Sequence, residues 1–175
     1  MAGGFKNFGP TYKATKYVRL GYEGLLNGMH DIDPALIPSD ECDHLELAGK
    51  FAAIGPDGVK LAASVEEAVG FFAEDLGDMV NASEKASFYM RGGEYYVHES
   101  RVNPEDLASG AFVPGALLGV DAEGRMTVVG AGEAHVGVVT HCGVYRAGNM
   151  YEFAESEKPG VIFDGDDYVG FIMMI

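Results

Sequence analysis

The chain has no tryptophan, two cysteines, and only 12 Lys and Arg against 27 Asp and Glu. Each shortage excludes something. Cys42 and Cys142, a hundred residues apart, do not make a disulfide scaffold. A net charge of −15 argues against a broad nucleic-acid surface, because phosphates are met by clustered Lys and Arg. It is also the wrong sign for anionic lipid, so neither nucleic acid nor membrane is an expected partner. No apolar run approaches the roughly 18 residues of a membrane helix. The opening stretch MAGGFKNFGP holds no apolar signal core, so a Sec-type signal peptide is not expected. The cysteines should then remain reduced thiols.

The motifs of common enzymes are missing as well. There is no Walker loop and no Gly-x-Ser-x-Gly elbow. Gly130-Ala-Gly132 begins a dinucleotide-like pattern, but His135 stands where the third glycine belongs, and a strand rather than a helix follows. His135 and His141 are six apart, about 20 Å along a strand, too far for one metal. Thr140-His141-Cys142 puts a thiol beside an imidazole, yet neighbours on a strand point to opposite faces. Glu41-Cys-Asp-His44 lacks the second half of a zinc motif, and Asp164-Gly-Asp-Asp167 lacks the distal Glu of a calcium loop. No catalytic, cofactor-binding or metal-ligating residue is assigned, and no cofactor is expected.

What is present is glycine, apolar residues and aromatics. The 175 residues make one domain, or one domain with an arm. Gly is 25 of them, twice the usual share, and nine Tyr and ten Phe accompany it. This composition predicts tight turns between short strands. The expected fold is mainly β, a β-barrel or β-sandwich with an extended N-terminal arm and one short helix.

Three regions follow. Residues 1–20 form a basic, aromatic arm with Lys6, Lys13, Lys16 and Arg19, the aromatics Phe5, Phe8, Tyr12 and Tyr17, and no acid. The remaining 155 residues hold 8 basic and 27 acidic groups, a balance of −19. Such an arm is drawn to an acidic neighbour, including another copy of the chain. Residues 21–110 read as an α+β region. A hairpin spans 45–63 around Gly55-Pro-Asp-Gly58. The Ser64/Glu67 capping box and the pattern Val65, Ala68, Val69, Phe72, Leu76 predict a helix from about 65 to 80. A second hairpin is predicted over 86–99 around Gly92-Gly93. Residues 111–175 read as a small β-barrel-like domain. Its last strand, Tyr168–Ile175, is apolar on both faces, which predicts cover on both sides. That strand is expected to close a barrel or to dock against another subunit, through Phe171, Ile172, Met173, Met174 and Ile175.

Residues 112–175 carry a resemblance. Pro114-Gly115 enters a strand, Asp121–Gly124 is a hairpin turn ending in glycine, and Gly137-Val138 opens a strand after a small-residue loop. This stretch, about a third of the chain, resembles the small β-domain of tailed-bacteriophage capsid decoration or cement proteins. The resemblance implies a non-enzymatic protein on the outer surface of a virion, made in the host cytoplasm. It would stabilise the shell by clamping neighbouring major capsid proteins, and would assemble with copies of itself as a dimer or trimer. Two other classes stay open: a β-barrel module for sugar or peptide with Tyr89, Tyr95 and Tyr96 as a stacking platform, and a metal-dependent enzyme gathering His30, His44, His98, His135 or His141.

Overall fold

The computed structural model describes residues 18–22, 25–26, 30–37, 44–76, 85–90, 92–144 and 167–175. Backbone pairing alone is described for 18–22, 25–26, 143–144 and 167. The expected arm is therefore outside the described residues up to Tyr17.

The fold is mainly β. The strands are β1 (Val18–Tyr22), β2 (Leu25–Leu26), β3 (His30–Asp31), β4 (Phe51–Gly55), β5 (Gly58–Leu61), β6 (Gly70–Phe72) and β7 (Lys85–Ala86). They continue with β8 (Phe88–Met90), β9 (Glu94–His98), β10 (Leu117–Val120), β11 (Met126–Val129), β12 (Gly137–Val144) and β13 (Asp167–Met173). One short helix, α1 (Pro104–Ser109), interrupts them. A six-stranded sheet runs β1-β9-β13-β12-β10-β11, a five-stranded sheet runs β2-β8-β6-β4-β5, and β3 pairs with β7. All of these pairings are antiparallel. Neither large sheet closes into a ring among the described residues, so the arrangement is a sandwich rather than a barrel.

The two large sheets share an aromatic core. Phe51, Phe71 and Tyr89 of the five-stranded sheet meet Tyr95 and Phe171 of the six-stranded sheet. Phe71 meets Tyr95 edge-on at 4.7 Å and Phe171 at 5.6 Å, and Tyr89 lies 5.1 Å from Tyr95. Burial of such side chains stabilises by roughly 1.5–3 kcal/mol each. Alternation along the strands then sends Ala52, Phe72 and Phe88 to the opposite face of the five-stranded sheet. There a second buried cluster forms with Ile32, Ile37, Leu47, Val59, Leu76 and Ala86. The core and the six-stranded sheet draw on residues from either side of 110.

Local chemistry explains the two hairpins that form as predicted. Gly55 and Gly58 pair across Pro56-Asp57 in β4–β5. In β10–β11, Asp121 Oδ1 accepts from the backbone N–H of Glu123 and Arg125 and closes the turn. Gly124 in that turn has φ 75, and its carbonyl accepts from Phe51 N at 2.6 Å. A Cβ there would press on Leu61 at 3.1 Å and on the Phe51 carbonyl oxygen at 3.2 Å. The turn therefore locks one sheet onto the other. Helix α1 starts at Asn103, whose side chain accepts from Glu105 N and Asp106 N, and stops at Gly110 in the left-handed region. Its Asp106 carboxylate accepts from the Thr127 hydroxyl and from Val128 N, which occupies the exposed side of the terminal strand β11.

Three expectations need correction. No helix spans 65–76 of the predicted segment; a turn at 65–67 leads into β6. The capping acid survives only as a long contact, Ala63 N to Glu67 at 3.4 Å. Pairing decides the outcome: Gly70 lies so close to β8 that a Cβ would sit 2.0 Å from the Tyr89 carbonyl oxygen. Phe71 and Phe72 then fill one core each, which a strand permits and a helix does not. Residues 77–80 are outside the described ones. The predicted 86–99 hairpin is also not one: β8 joins the five-stranded sheet and β9 the six-stranded sheet. The chain crosses between layers there, with Tyr89 and Tyr95 stacked in the gap. Finally, β13 closes no barrel among the described residues. It is a central strand between β9 and β12, apolar on both faces, and one of them is buried at Tyr168 and Gly170 but open at Ile172.

Candidate binding surface

Strand β13 has two unlike faces. Val169, Phe171 and Met173 are at most 1% exposed and lie in the core, whereas Ile172 is 48% and Met174 58% exposed. Antiparallel register extends the open face across the sheet. Ile172 lies opposite Glu94 on β9 and opposite Val138 on β12. Val138 lies opposite Leu117, and Leu117 opposite Val129. Directly paired residues share a face, so Glu94, Ile172, Val138, Leu117 and Val129 form one row across five adjacent strands. At about 4.8 Å per strand the row is about 19 Å long. None of its members is fully buried.

One end of the row is polar. Glu94 Oε1 accepts from the Thr140 hydroxyl at 3.0 Å and from the Tyr96 hydroxyl at 3.3 Å. These bonds hold the carboxylate beside Ile172. Further along the same face the surface becomes buried and aromatic. The Tyr96 ring crosses Gly170, where a Cβ would be 2.8 Å from it, and Tyr168 meets His98 edge-on at 5.3 Å. The open part is thus aliphatic, flanked by an anchored carboxylate. The segments that build most of this sheet are acidic in composition. Residues 92–144 and 167–175 hold eight acids (Glu94, Glu99, Glu105, Asp106, Asp121, Glu123, Glu133 and Asp167) and two arginines. Both arginines are in ion pairs, Arg101 with Glu46 and Asp75, and Arg125 with Asp121 and Glu123.

Of the residues that the sequence put forward for partner binding, Ile172 and Met174 are on this open face, whereas Phe171 and Met173 are in the core. Ile175 packs half-buried against the core. Arg19 is in β1, with its backbone in register with Tyr96. Phe5, Lys6, Phe8, Tyr12, Lys13, Lys16 and Tyr17 are outside the described residues. Sequence reasoning missed Glu94, Val138, Leu117 and Val129. The period-two alternation of their strands marks them as outward, but their union depends on a register set by distant segments.

A buried ionic cluster is a second place where chemistry converges. Asp75 Oδ1 accepts from Leu47 N at 2.9 Å and Ala48 N at 2.8 Å, and Oδ2 accepts from Arg101 Nη2 at 2.8 Å. Arg101, 2% exposed, also meets Glu46 at 3.1 Å, and His44 Nε2 lies 3.5 Å from Asp75. Lys50 lies nearby. Its pKa is held below the usual lysine value, first by burial and then by the Arg101 charge. The Asp75 oxygens are turned to the chain's own donors, so the cluster fastens residues 44–50 to the end of β9. Partners 26 or more residues apart leave no local signal.

The structure does not gather the remaining candidates. His30 stacks on Phe88, His98 caps a 3-10 turn, His135 approaches the Glu133 carbonyl, and His141 is exposed on β12. Cys142 is exposed on β12, and Cys42 is outside the described residues. Among the described residues no three His, Cys, Asp or Glu side chains converge as metal ligands. Tyr89 and Tyr95 are between the sheets and Tyr96 is on the outer face, so the three do not form one platform. No helix among the described residues is long and apolar enough to cross a membrane. No family model matches the chain, and no curated protein or solved structure is significantly similar to it.

Proposed function

We propose that the chain is a structural assembly protein of the capsid decoration kind, which sits on the outer surface of a phage shell and clamps neighbouring major capsid proteins. The observation that carries this reading is the half-open aliphatic row across the six-stranded sheet. Ile172 and Met174 are among only four large apolar residues left exposed among the described ones. The other two, Ile54 and Val113, are isolated on a hairpin end and a loop. A row of apolar residues beside an anchored carboxylate is the form of a protein contact, with an apolar centre and a polar rim. The resemblance of residues 112–175 supplies the class of partner.

The test is binding of the purified chain to tailed-phage shells that lack it, read by co-sedimentation. The reading expects saturation at a fixed ratio to the major capsid protein, and loss of binding when Ile172 becomes Asp. Failure of the folded chain to sediment with any shell would overturn it.

A further inference from the structure

We propose that the outer face of the six-stranded sheet receives the basic, aromatic segment 1–17 of a second copy of the chain. This deepens the reading above, on which it rests, by naming one occupant for the open face.

The first argument is charge. Segment 1–17 carries Lys6, Lys13 and Lys16 and no acid. The receiving part of the chain has eight acids against three arginines, Arg19 on β1 and Arg101 and Arg125, the last two already engaged by carboxylates. The segment is therefore attracted to that part of a neighbour, and this attraction weakens with salt. The second argument is chemistry along the row. The face offers aliphatic Ile172, Met174, Val138, Leu117 and Val129 with Glu94 at one end, and the segment offers Phe5, Phe8 and Tyr12 with Lys6 next to the first and Lys13 next to the last. An extended stretch from Phe5 to Tyr12 covers about 23 Å at about 3.3 Å per residue, close to the row's about 19 Å. Lys6 or Lys13 then lies beside Glu94, according to direction. The third argument is reach. Residues 1–17 lie ahead of β1 and span about 60 Å when fully extended, against about 24 Å for the width of six strands. The segment leaves from an edge strand and can cross a neighbour's whole sheet. The contact is heterologous, arm to face, so each copy carries one of each half.

The halves separate in full-length chains. One variant carries Lys6→Glu, Lys13→Glu and Lys16→Glu with the face intact; the other carries Ile172→Lys with the arm intact. In analytical ultracentrifugation the wild type should associate, and each variant alone should associate about tenfold more weakly or less. An equimolar mixture should form a one-to-one dimer, because one intact arm meets one intact face. A wild type that stays monomeric up to millimolar concentration overturns the inference. So does a mixture that stays monomeric while the wild type associates. If Ile172→Lys lowers the melting temperature, Met174→Lys, at a more exposed position, replaces it as the face variant. Shell binding separates the two readings. An arm variant that binds shells fully while the face variant binds none assigns the face to the shell protein, and overturns the arm contact alone. A mixture that dimerises when no chain binds shells upholds the arm contact and removes the decoration reading.

Discussion

Phe71 and Phe72 are neighbours on the five-stranded sheet, and both are fully buried on opposite faces. Phe171 and Ile172 are equally neighbours on the six-stranded sheet, yet one is fully buried and the other about half open. The difference is in what lies over the second face. Ile32, Ile37 and Leu47, brought by residues 30–37 and 44–48, close the far side of the five-stranded sheet. Over Ile172 and Met174 nothing comparable packs among the described residues. A strand that is apolar on both faces thus marks either a middle layer or a face reserved for a partner, and the cover decides which.

The comparison can be broken at its strongest point first. Phe71→Ala and Phe72→Ala should each destabilise by about 3–5 kcal/mol, the range for emptying a buried aromatic site. Urea unfolding checks this, and a small loss at Phe72 would show that the second cluster is not a real core. Next, Asp75→Ala should cost about 3 kcal/mol, because it takes from the buried Arg101 the carboxylate that holds it at 2.8 Å. Its effect belongs to stability alone, and shell binding should follow the folded fraction.

A gain is expected within the shared core. The Tyr95 hydroxyl is buried without a hydrogen-bond partner, and burial raises its pKa far above the ordinary tyrosine value. The folded state therefore keeps this proton at pH values where the unfolded chain loses it. Stability is undiminished below about pH 10 and falls as pH rises beyond it. Tyr95→Phe should add about 1 kcal/mol at neutral pH and flatten the alkaline loss, as measured by unfolding at both pH values. The smallest effect belongs to Ile172→Ala, which should cost less than about 1 kcal/mol because half of that side chain is already in water.

Legibility followed locality. The β4–β5 and β10–β11 hairpins could be read because Pro-Asp between glycines and Asp121 with Gly124 act within a few residues. The mainly β character could be read from many such signals together. The 65–80 helix and the 86–99 hairpin were equally local signals, and pairing with distant strands overrode them at Gly70 and at Tyr89/Tyr95. The Asp75–Arg101 fastening could not be read, since nothing near either residue announces the other. The open face was half legible. Ile172 and Met174 stood out in an apolar strand, but Glu94, Val138, Leu117 and Val129 join them only through register across five strands. That same strand predicts cover on both sides, because one sequence does not distinguish a chain's own cover from a partner's.

The central claim is that the chain folds without its open face and assembles through it. Ile172→Asp tests this most directly, with melting temperature and sedimentation measured on one preparation. Melting at the wild-type temperature together with loss of assembly is expected. A variant that unfolds as a monomer, or that assembles like the wild type, would contradict it.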